Sequence, residues 1–343
     1  MSKYTKFVAA VALASTAVVA QVSTWSLQVG GAGTANCSGA QIPNGGGNGT
    51  QTTASMLFSY DKSVSQLTVV VNNTSPVVAS YAASQITAVR FNAPRPAVTA
   101  MTLLSSTSAS GASASTWTST FDADVTSGST PNPCKLNCFG GFSVGLNNPN
   151  GNSRAIVNSA APDFNAADDC GDSITFVFSV TGPGTQWINA GAFANSLSSG
   201  GSGGKPQAGI KGQGMNDGVS EEAGVTGSCA PTAYATGQAS PGCHMDLYMT
   251  GATGCAGCLV VSFNPGPTTV GNTTYDIGYP FYDILSVPTS SGQLYQVPVD
   301  IPNIPELIGL SLYFSTGLYQ PSSGLVFVAQ SFTVTFVAGT CPN

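Results

Sequence analysis

The densest group of side chains that could do chemistry is an acidic run between residues 163 and 172. It holds four carboxylates and an amide, in a chain with only 15 Asp and Glu residues. Oxygen ligands of this kind suit Ca²⁺, which takes roughly six to eight of them. The run lacks the glycine and the final glutamate of an EF-hand loop, and the sequence favours the alternative, an acidic solvated loop built on Asx turns. We therefore expect no cofactor unless this loop binds Ca²⁺. The candidate ligands are Asp163, Asn165, Asp168, Asp169 and Asp172.

The nine cysteines are the second group with chemical potential. In an exported chain they predict a disulfide framework, and an odd number leaves one thiol free, modified or intermolecular. We expect a local Cys134–Cys138 loop and a second cluster whose pairing is left open. The motif C-x-x-C at 255–258 precedes a strand-like segment, whereas a redox site requires a helix N-terminus, and the spacing fits no usual zinc knuckle. The members of the second cluster are Cys229, Cys243, Cys255 and Cys258.

Hydrolytic chemistry would have to use His244, the only histidine in the chain. It lies beside Cys243 in a predicted disulfide region, and no Gly-x-Ser-x-Gly elbow is present. The carboxylates of Asp122 and Asp124 would share one strand face, which is common by chance. We therefore expect a protein that is not an enzyme.

Residues 1–20 have the features of a cleavable signal peptide. Lys3 and Lys6 precede an apolar stretch over 8–19, and Val18-Val19-Ala20 fits the small-x-small cleavage rule. The stretch is shorter than the ~20 residues needed to cross a bilayer. We expect a secreted protein, extracellular or at the cell surface, with no transmembrane anchor after cleavage.

The charge of the chain limits its partners. Once the two signal-peptide lysines are removed, 7 of the 9 Lys and Arg residues remain against 15 Asp and Glu, and they are scattered. Proteins that bind nucleic-acid backbones need clustered cations to replace condensed counterions. We therefore exclude nucleic acid as a partner, and the same acidity disfavours anionic membrane surfaces.

The composition predicts an all-β protein. With 41 glycines and 21 prolines the chain has many turns and few helix formers. Apolar and polar residues alternate with the period-2 pattern of half-buried antiparallel strands. We predict two antiparallel β-sandwich domains, jelly-roll or immunoglobulin-like, after the signal peptide. The predicted strands are 55–60, 66–71, 86–91, 98–104, 173–180, 247–251, 259–263, 294–299, 310–315 and 324–337.

The predicted domains are 21–224 and 225–343, after the signal peptide 1–20. A Gly-Ser run at 197–204 is linker-like, but the alternating segment 207–213 is also consistent with a last strand of the first domain. The run itself is then a long hairpin loop.

Part of the second domain resembles a known module. Ile301-Pro302-Asn303-Ile304-Pro305, continuing to Phe314, is similar to the IPN-x-P-x-L-x-G-L motif in the C-terminal module of uncharacterised secreted β-sandwich proteins of planctomycete-type bacteria. The resemblance covers about 228–336. Residues 24–222 loosely resemble domains of exosortase-sorted surface proteins, without their sorting signal. The resemblance implies a fold and a secreted habit but no activity.

Two functions of different classes remain, with a hydrolase a distant third. The first is a structural or interaction protein that contacts an extracellular matrix or surface protein. The second is a carbohydrate-binding protein, which requires at least two coplanar exposed aromatic rings. The aromatic candidates are Trp25, Trp117, Trp187, Tyr279, Tyr282 and Tyr319.

Overall fold

A computed structural model of the chain gives the architecture. The predicted signal peptide lies outside the described residues, as do Asp163 and Cys229. No helix of the described part is long and apolar enough to cross a bilayer. The described residues are 22–30, 35–36, 52–77, 85–112, 114–125, 130–151, 153–162, 164–201, 204–213, 221–225, 231–250, 254–287, 294–321, 325–329 and 331–341.

The predicted all-β class is confirmed, and every strand pairing in the described residues is antiparallel. The described residues include one short helix, α1, at Ala190–Asn195, and 3-10 turns at Ala114–Thr116, Asn132–Cys134 and Pro305–Leu307. The strands before α1 are β1 Val22–Val29, β2 Ala35–Asn36, β3 Ala54–Asp61, β4 Gln66–Asn73, β5 Gln85–Phe91, β6 Ala100–Ser108, β7 Thr118–Phe121, β8 Lys135–Leu136, β9 Gly140–Gly141, β10 Val144–Asn147 and β11 Ser173–Thr181. Those after it are β12 Ala208–Gln213, β13 Glu221–Gly224, β14 Thr232–Gly237, β15 His244–Thr250, β16 Ala256–Ser262, β17 Pro265–Val270, β18 Thr273–Ile277, β19 Tyr282–Val287, β20 Leu294–Asp300, β21 Ser311–Gln320, β22 Leu325–Val328 and β23 Phe332–Thr335.

The chain divides into two compact units. The first unit comprises Val22–Gly182 and Phe193–Gly227, and the second comprises Pro183–Ala192 with the residues from Ser228 onward. The sequence placed Pro183–Ala192 in the first domain, whereas this segment brings Trp187 into the core of the second unit. The division into domains 21–224 and 225–343 stays a prediction.

The first unit is built on two sheets, in the orders β1-β3-β4-β11-β6 and β2-β13-β12-β5-β10-β7. Burial alternates strictly in β4, where Leu67 and Val69 are fully buried and their neighbours in the strand are half-buried. Rings from the two sheets meet in the core, because Phe91 packs edge-on against Phe58 at 5.5 Å and Phe178 at 5.9 Å. The sheets therefore pack face to face, as in a sandwich.

The second unit pairs a sheet of order β14-β15-β20 with a larger sheet of order β19-β16-β21-β22, in which β23 also pairs with β21. Met245 and Leu247 of the smaller sheet share one apolar core with Leu259 and Phe314 of the larger sheet. Phe314 also stacks on Phe332 of β23, with ring centroids 5.0 Å apart. A separate hairpin, β17–β18, belongs to the same unit.

The predicted strand over 324–337 is two strands, β22 and β23, which is a correction. Both pair with β21, since Val328 lies opposite Gly317 and Phe332 opposite Phe314. Between these two pairs the chain advances four residues from Val328 to Phe332, but β21 spans only three residues from Phe314 to Gly317. The extra residue interrupts the strand pairing as a β-bulge does.

Candidate functional site

The acidic run of the first unit forms a loop that is closed by its own hydrogen bonds. The buried Asp169 accepts a hydrogen bond on Oδ2 from the backbone N–H of Asn165 at 2.9 Å. The Asn165 side-chain amide donates to Asp168 Oδ2 at 3.4 Å. The backbone N–H of Ala167 donates to Asn165 Oδ1 at 3.1 Å, which is an Asx turn of the kind that the sequence offered as the alternative to a calcium loop.

The fourth carboxylate of the loop points elsewhere. Asp172 accepts hydrogen bonds from the backbone N–H of Ser159 at 2.5 Å and from its hydroxyl at 2.8 Å. In the described part of the chain no three His, Cys, Asp or Glu side chains converge as a ligand set. Because Asp163 lies outside that part, the calcium site stays a prediction.

The loop is fixed to the core through Arg154. Its Nη1 donates to the carbonyl of Ala167 at 2.9 Å, and its own carbonyl accepts from Trp117 Nε1 at 2.9 Å. The Cys170 thiol donates to the same carbonyl at 3.2 Å, and burial raises the pKa of that thiol to about 11. Trp117 is therefore a buried anchor and not a sugar-stacking ring.

The predicted Cys134–Cys138 loop is wrong, because Cys134 is a buried free thiol while Cys138 is disulfide-bonded. The Cys134 side chain points to β7, where it donates to the carbonyl of Thr120 at 3.4 Å. Burial raises the pKa of this thiol to about 11, so it stays protonated at neutral pH. Proximity in the sequence suggested the wrong partner, because the Cys134 thiol is directed to β7 while Cys138 is bonded to another cysteine.

The second cysteine cluster also needs correction. Cys243 pairs with Cys341, 98 residues away, with an S–S distance of 2.05 Å. Cys255 is disulfide-bonded as well, whereas Cys258 is free. The C-x-x-C motif is therefore not a dithiol pair, and its second cysteine lies in strand β16 and not at a helix N-terminus.

His244 lies on the surface of the second unit between two carboxylates. Asp300 is directly opposite it on β20, 2.9 Å from Nδ1 to Oδ1, and Asp246 lies two residues along β15, 3.2 Å from Nε2 to Oδ1. Two acceptors can both be satisfied only by an imidazolium that donates from both nitrogens. With both nitrogens engaged, His244 has no ring nitrogen left to take a proton from a nucleophile.

We expect the pKa of His244 to be higher than that of a free histidine. The hydrogen bond to Asp300 contributes most, followed by that to Asp246. We call His244 with its two partners, Asp300 and Asp246, the His244 clasp. Because the pKa of His244 is raised in the folded protein, the clasp stabilises the fold at pH values below about 6.5. This contribution is lost as the pH rises through the folded pKa. An NMR titration reads this directly, since the chain has one histidine.

The Asp300→Asn variant should bring the His244 pKa down towards 6.5. Asp276→Asn is the matched control, because this exposed aspartate lies in hairpin β17–β18. A His244 pKa that is the same in Asp300→Asn and in the unchanged protein would contradict the clasp.

Among the described residues, the exposed aromatic rings lie in the second unit. Tyr279, Tyr282 and Tyr319 are 72%, 51% and 44% exposed, whereas Trp187 is buried. Tyr279 meets Phe281 edge-on, with ring centroids 6.0 Å apart and planes at 70°. We call Tyr279 and Tyr282 together the tyrosine surface.

An open pocket of about 400 Å³ lies on the larger sheet of the same unit. Its floor and walls come from four strands and the β17–β18 hairpin. The sequence did not single out any of these positions as a pocket, because they approach one another only through strand pairing. The lining residues are Ala256, Gly257, Cys258, Tyr275, Ser286, Val287, Gly317, Tyr319 and Val326.

No protein-family model and no curated protein matches the sequence. The resemblance to secreted planctomycete-type modules therefore stays a prediction. Three features of the second unit are candidates for function: the His244 clasp, the tyrosine surface and the pocket.

Proposed function

We propose that this chain is a secreted, non-enzymatic interaction protein that contacts an extracellular matrix or surface partner through the tyrosine surface of its second unit. The observation that carries the proposal is the exposure of Tyr279 and Tyr282, at 72% and 51%. Large aromatic side chains lose little entropy on binding and are enriched at protein interfaces.

The scaffold around these rings supports a binding role. Tyr282 packs edge-on against Phe263 with centroids 6.0 Å apart, and the Asn264 side chain donates to the carbonyl of Tyr279 at 2.9 Å. Rings that are held in place before binding lose less conformational freedom when a partner arrives.

Carbohydrate binding is the alternative, and the same exposed rings favour it. Sugar rings stack on flat aromatic faces, and Tyr279 and Tyr282 are both exposed to solvent. The described contacts of both rings are edge-on, at 70° and 78° to their neighbours. A protein partner, which can use ring edges as well as faces, is therefore the first proposal.

The test uses the mature, oxidised protein in two assays. One is a glycan array, and the other is co-sedimentation with insoluble peptidoglycan, cellulose and matrix protein. We expect binding to a matrix or surface protein, and at least a tenfold loss of affinity in Tyr279→Ala and Tyr282→Ala. Leu104→Ala, which removes an exposed apolar side chain of the first unit, should bind normally. Glycan binding that depends on the same tyrosines would select the alternative, and binding that is insensitive to both substitutions would overturn the tyrosine surface.

A further inference from the structure

We propose that the second unit binds an uncharged, mainly aromatic small molecule in the pocket on the outer face of its larger sheet. The pocket has a volume of about 400 Å³, within the range of small-molecule sites. The proposal does not rest on the tyrosine surface, because neither Tyr279 nor Tyr282 lines the pocket.

The pocket exists because the cover on this face of the sheet is incomplete. Hairpin β17–β18 lies over part of the outer face, where Tyr275 and Ile277 pack with Val260 and Tyr313. Cys258 packs against that cluster and also lines the pocket. Because the hairpin covers only part of this sheet face, the uncovered part next to the hairpin forms a concave pocket.

The floor of the pocket consists of small residues that lie opposite one another on three paired strands. Cys258 lies opposite Ser286 of β19 on one side and Gly317 of β21 on the other. A Cβ atom added at Gly317 would lie 3.1 Å from the Tyr275 hydroxyl oxygen, so glycine keeps this space open. Small residues therefore form one rung across three strands.

Larger side chains form the walls. The next rung pairs Ala256 with Tyr319, which in turn lies opposite Val326 of β22. Tyr275 comes from the hairpin. Two tyrosine rings and an aliphatic side chain thus border a floor of small residues, an arrangement that suits a flat apolar ring.

The polar groups of the pocket favour an uncharged ligand. The lining holds no charged side chain, and the Ser286 hydroxyl donates to Asp283. Burial raises the pKa of the Cys258 thiol, and burial also raises the pKa of the Tyr275 hydroxyl, so both are neutral at pH 7. Asp283 disfavours an anion nearby. A sugar would leave most of its hydroxyls without partners against this lining.

The test is a fluorescence titration of the mature, oxidised protein with N-phenyl-1-naphthylamine, a neutral aromatic probe. We expect saturable binding of one probe per chain. Gly317→Val fills the floor and should weaken the affinity at least tenfold, while Tyr282→Ala should leave it unchanged. Val326→Glu places a charge on an exposed wall position and should also weaken the affinity, which keeps the test decisive if Gly317→Val fails to fold.

The Cys258 thiol reports where the probe binds. Of the free thiols in the described residues, Cys134 and Cys170 are buried and Cys258 is partly exposed. Saturating probe should therefore slow the reaction of the protein with 5,5′-dithiobis(2-nitrobenzoate), and Cys258→Ser should remove that reaction. Absence of saturable binding, an unchanged affinity in folded Gly317→Val and Val326→Glu, or loss of binding only in Tyr282→Ala would each overturn the pocket. Failure of the matrix and glycan assays would leave it untouched.

Discussion

Replacing Cys243 and Cys341 together by alanine is expected to lower the free energy of unfolding by about 4 kcal/mol. The disulfide joins residues 98 positions apart and so closes a loop that contains most of the strands of the second unit. In the chain-entropy account a cross-link stabilises by restricting the unfolded state, and the gain grows with loop length to about 4–5 kcal/mol for a loop of roughly 100 residues.

The cross-link also holds the end of the described chain against the strands. Val337 donates its backbone N–H to the carbonyl of Ala239 at 2.9 Å, four residues before Cys341. Loss of the disulfide should therefore release this last segment first. Hydrogen exchange of the Val337 amide in the double variant would show that release as lost protection.

Urea unfolding followed by circular dichroism measures the loss. Cys258→Ala is the matched control, because it removes a sulfur that is not cross-linked and should change the free energy of unfolding by less than about 1 kcal/mol. If the double variant unfolds at the same urea concentration as this control, the disulfide does not stabilise the folded protein.

Replacing Arg90 by alanine is expected to cost about 3 kcal/mol. This buried guanidinium of β5 donates from Nη1 to the carbonyls of Val89 at 2.9 Å and Leu146 at 2.7 Å. It also donates from Nη2 to Asn147 Oδ1 at 2.7 Å and from Nε to the carbonyl of Lys135 at 3.4 Å. Burial lowers the pKa of Arg90 to about 10, so it remains charged at neutral pH. Its removal takes one donor from two buried carbonyls and from two partly buried acceptors, and each acceptor left unpaired costs about 1–3 kcal/mol before relaxation.

Arg90→Lys separates charge from geometry. A lysine keeps the positive charge but cannot present the planar fork that reaches β10 and the Lys135 segment together. We therefore expect it to lose most of the stability that alanine loses. Lys205→Ala, at an exposed lysine of the same unit, should change the free energy of unfolding by less than about 0.5 kcal/mol. An Arg90→Lys protein as stable as the unchanged chain would show that charge alone suffices.

Much of the strand content could be predicted from local pattern. The predicted strands 66–71 and 173–180 correspond to β4 and β11, because alternation with period 2 is a property of consecutive residues. The hairpin β17–β18 was missed, since Pro265 and Pro267 discourage a strand assignment in a segment that forms a two-stranded hairpin.

The candidate functional features were harder to predict from the sequence than the strands. The acidic run attracted attention by its composition, yet its described carboxylates accept hydrogen bonds from Asn165 of the same loop or from Ser159. The pocket lacks a compositional signal, because Cys258, Gly317 and Ser286 come from three strands and are neighbours only through register.

The sequence by itself determined the all-β class, about half of the strand positions and the scarcity of cationic and imidazole groups. These follow from alternation and composition, which need no knowledge of distant contacts. Only the tertiary structure decided that Cys243 pairs with Cys341, that Arg90 is buried among carbonyls, and that small residues of three strands form one pocket floor. Each of these depends on cross-strand register and on which sheet faces pack together, and both are set by the whole core and not by any one segment.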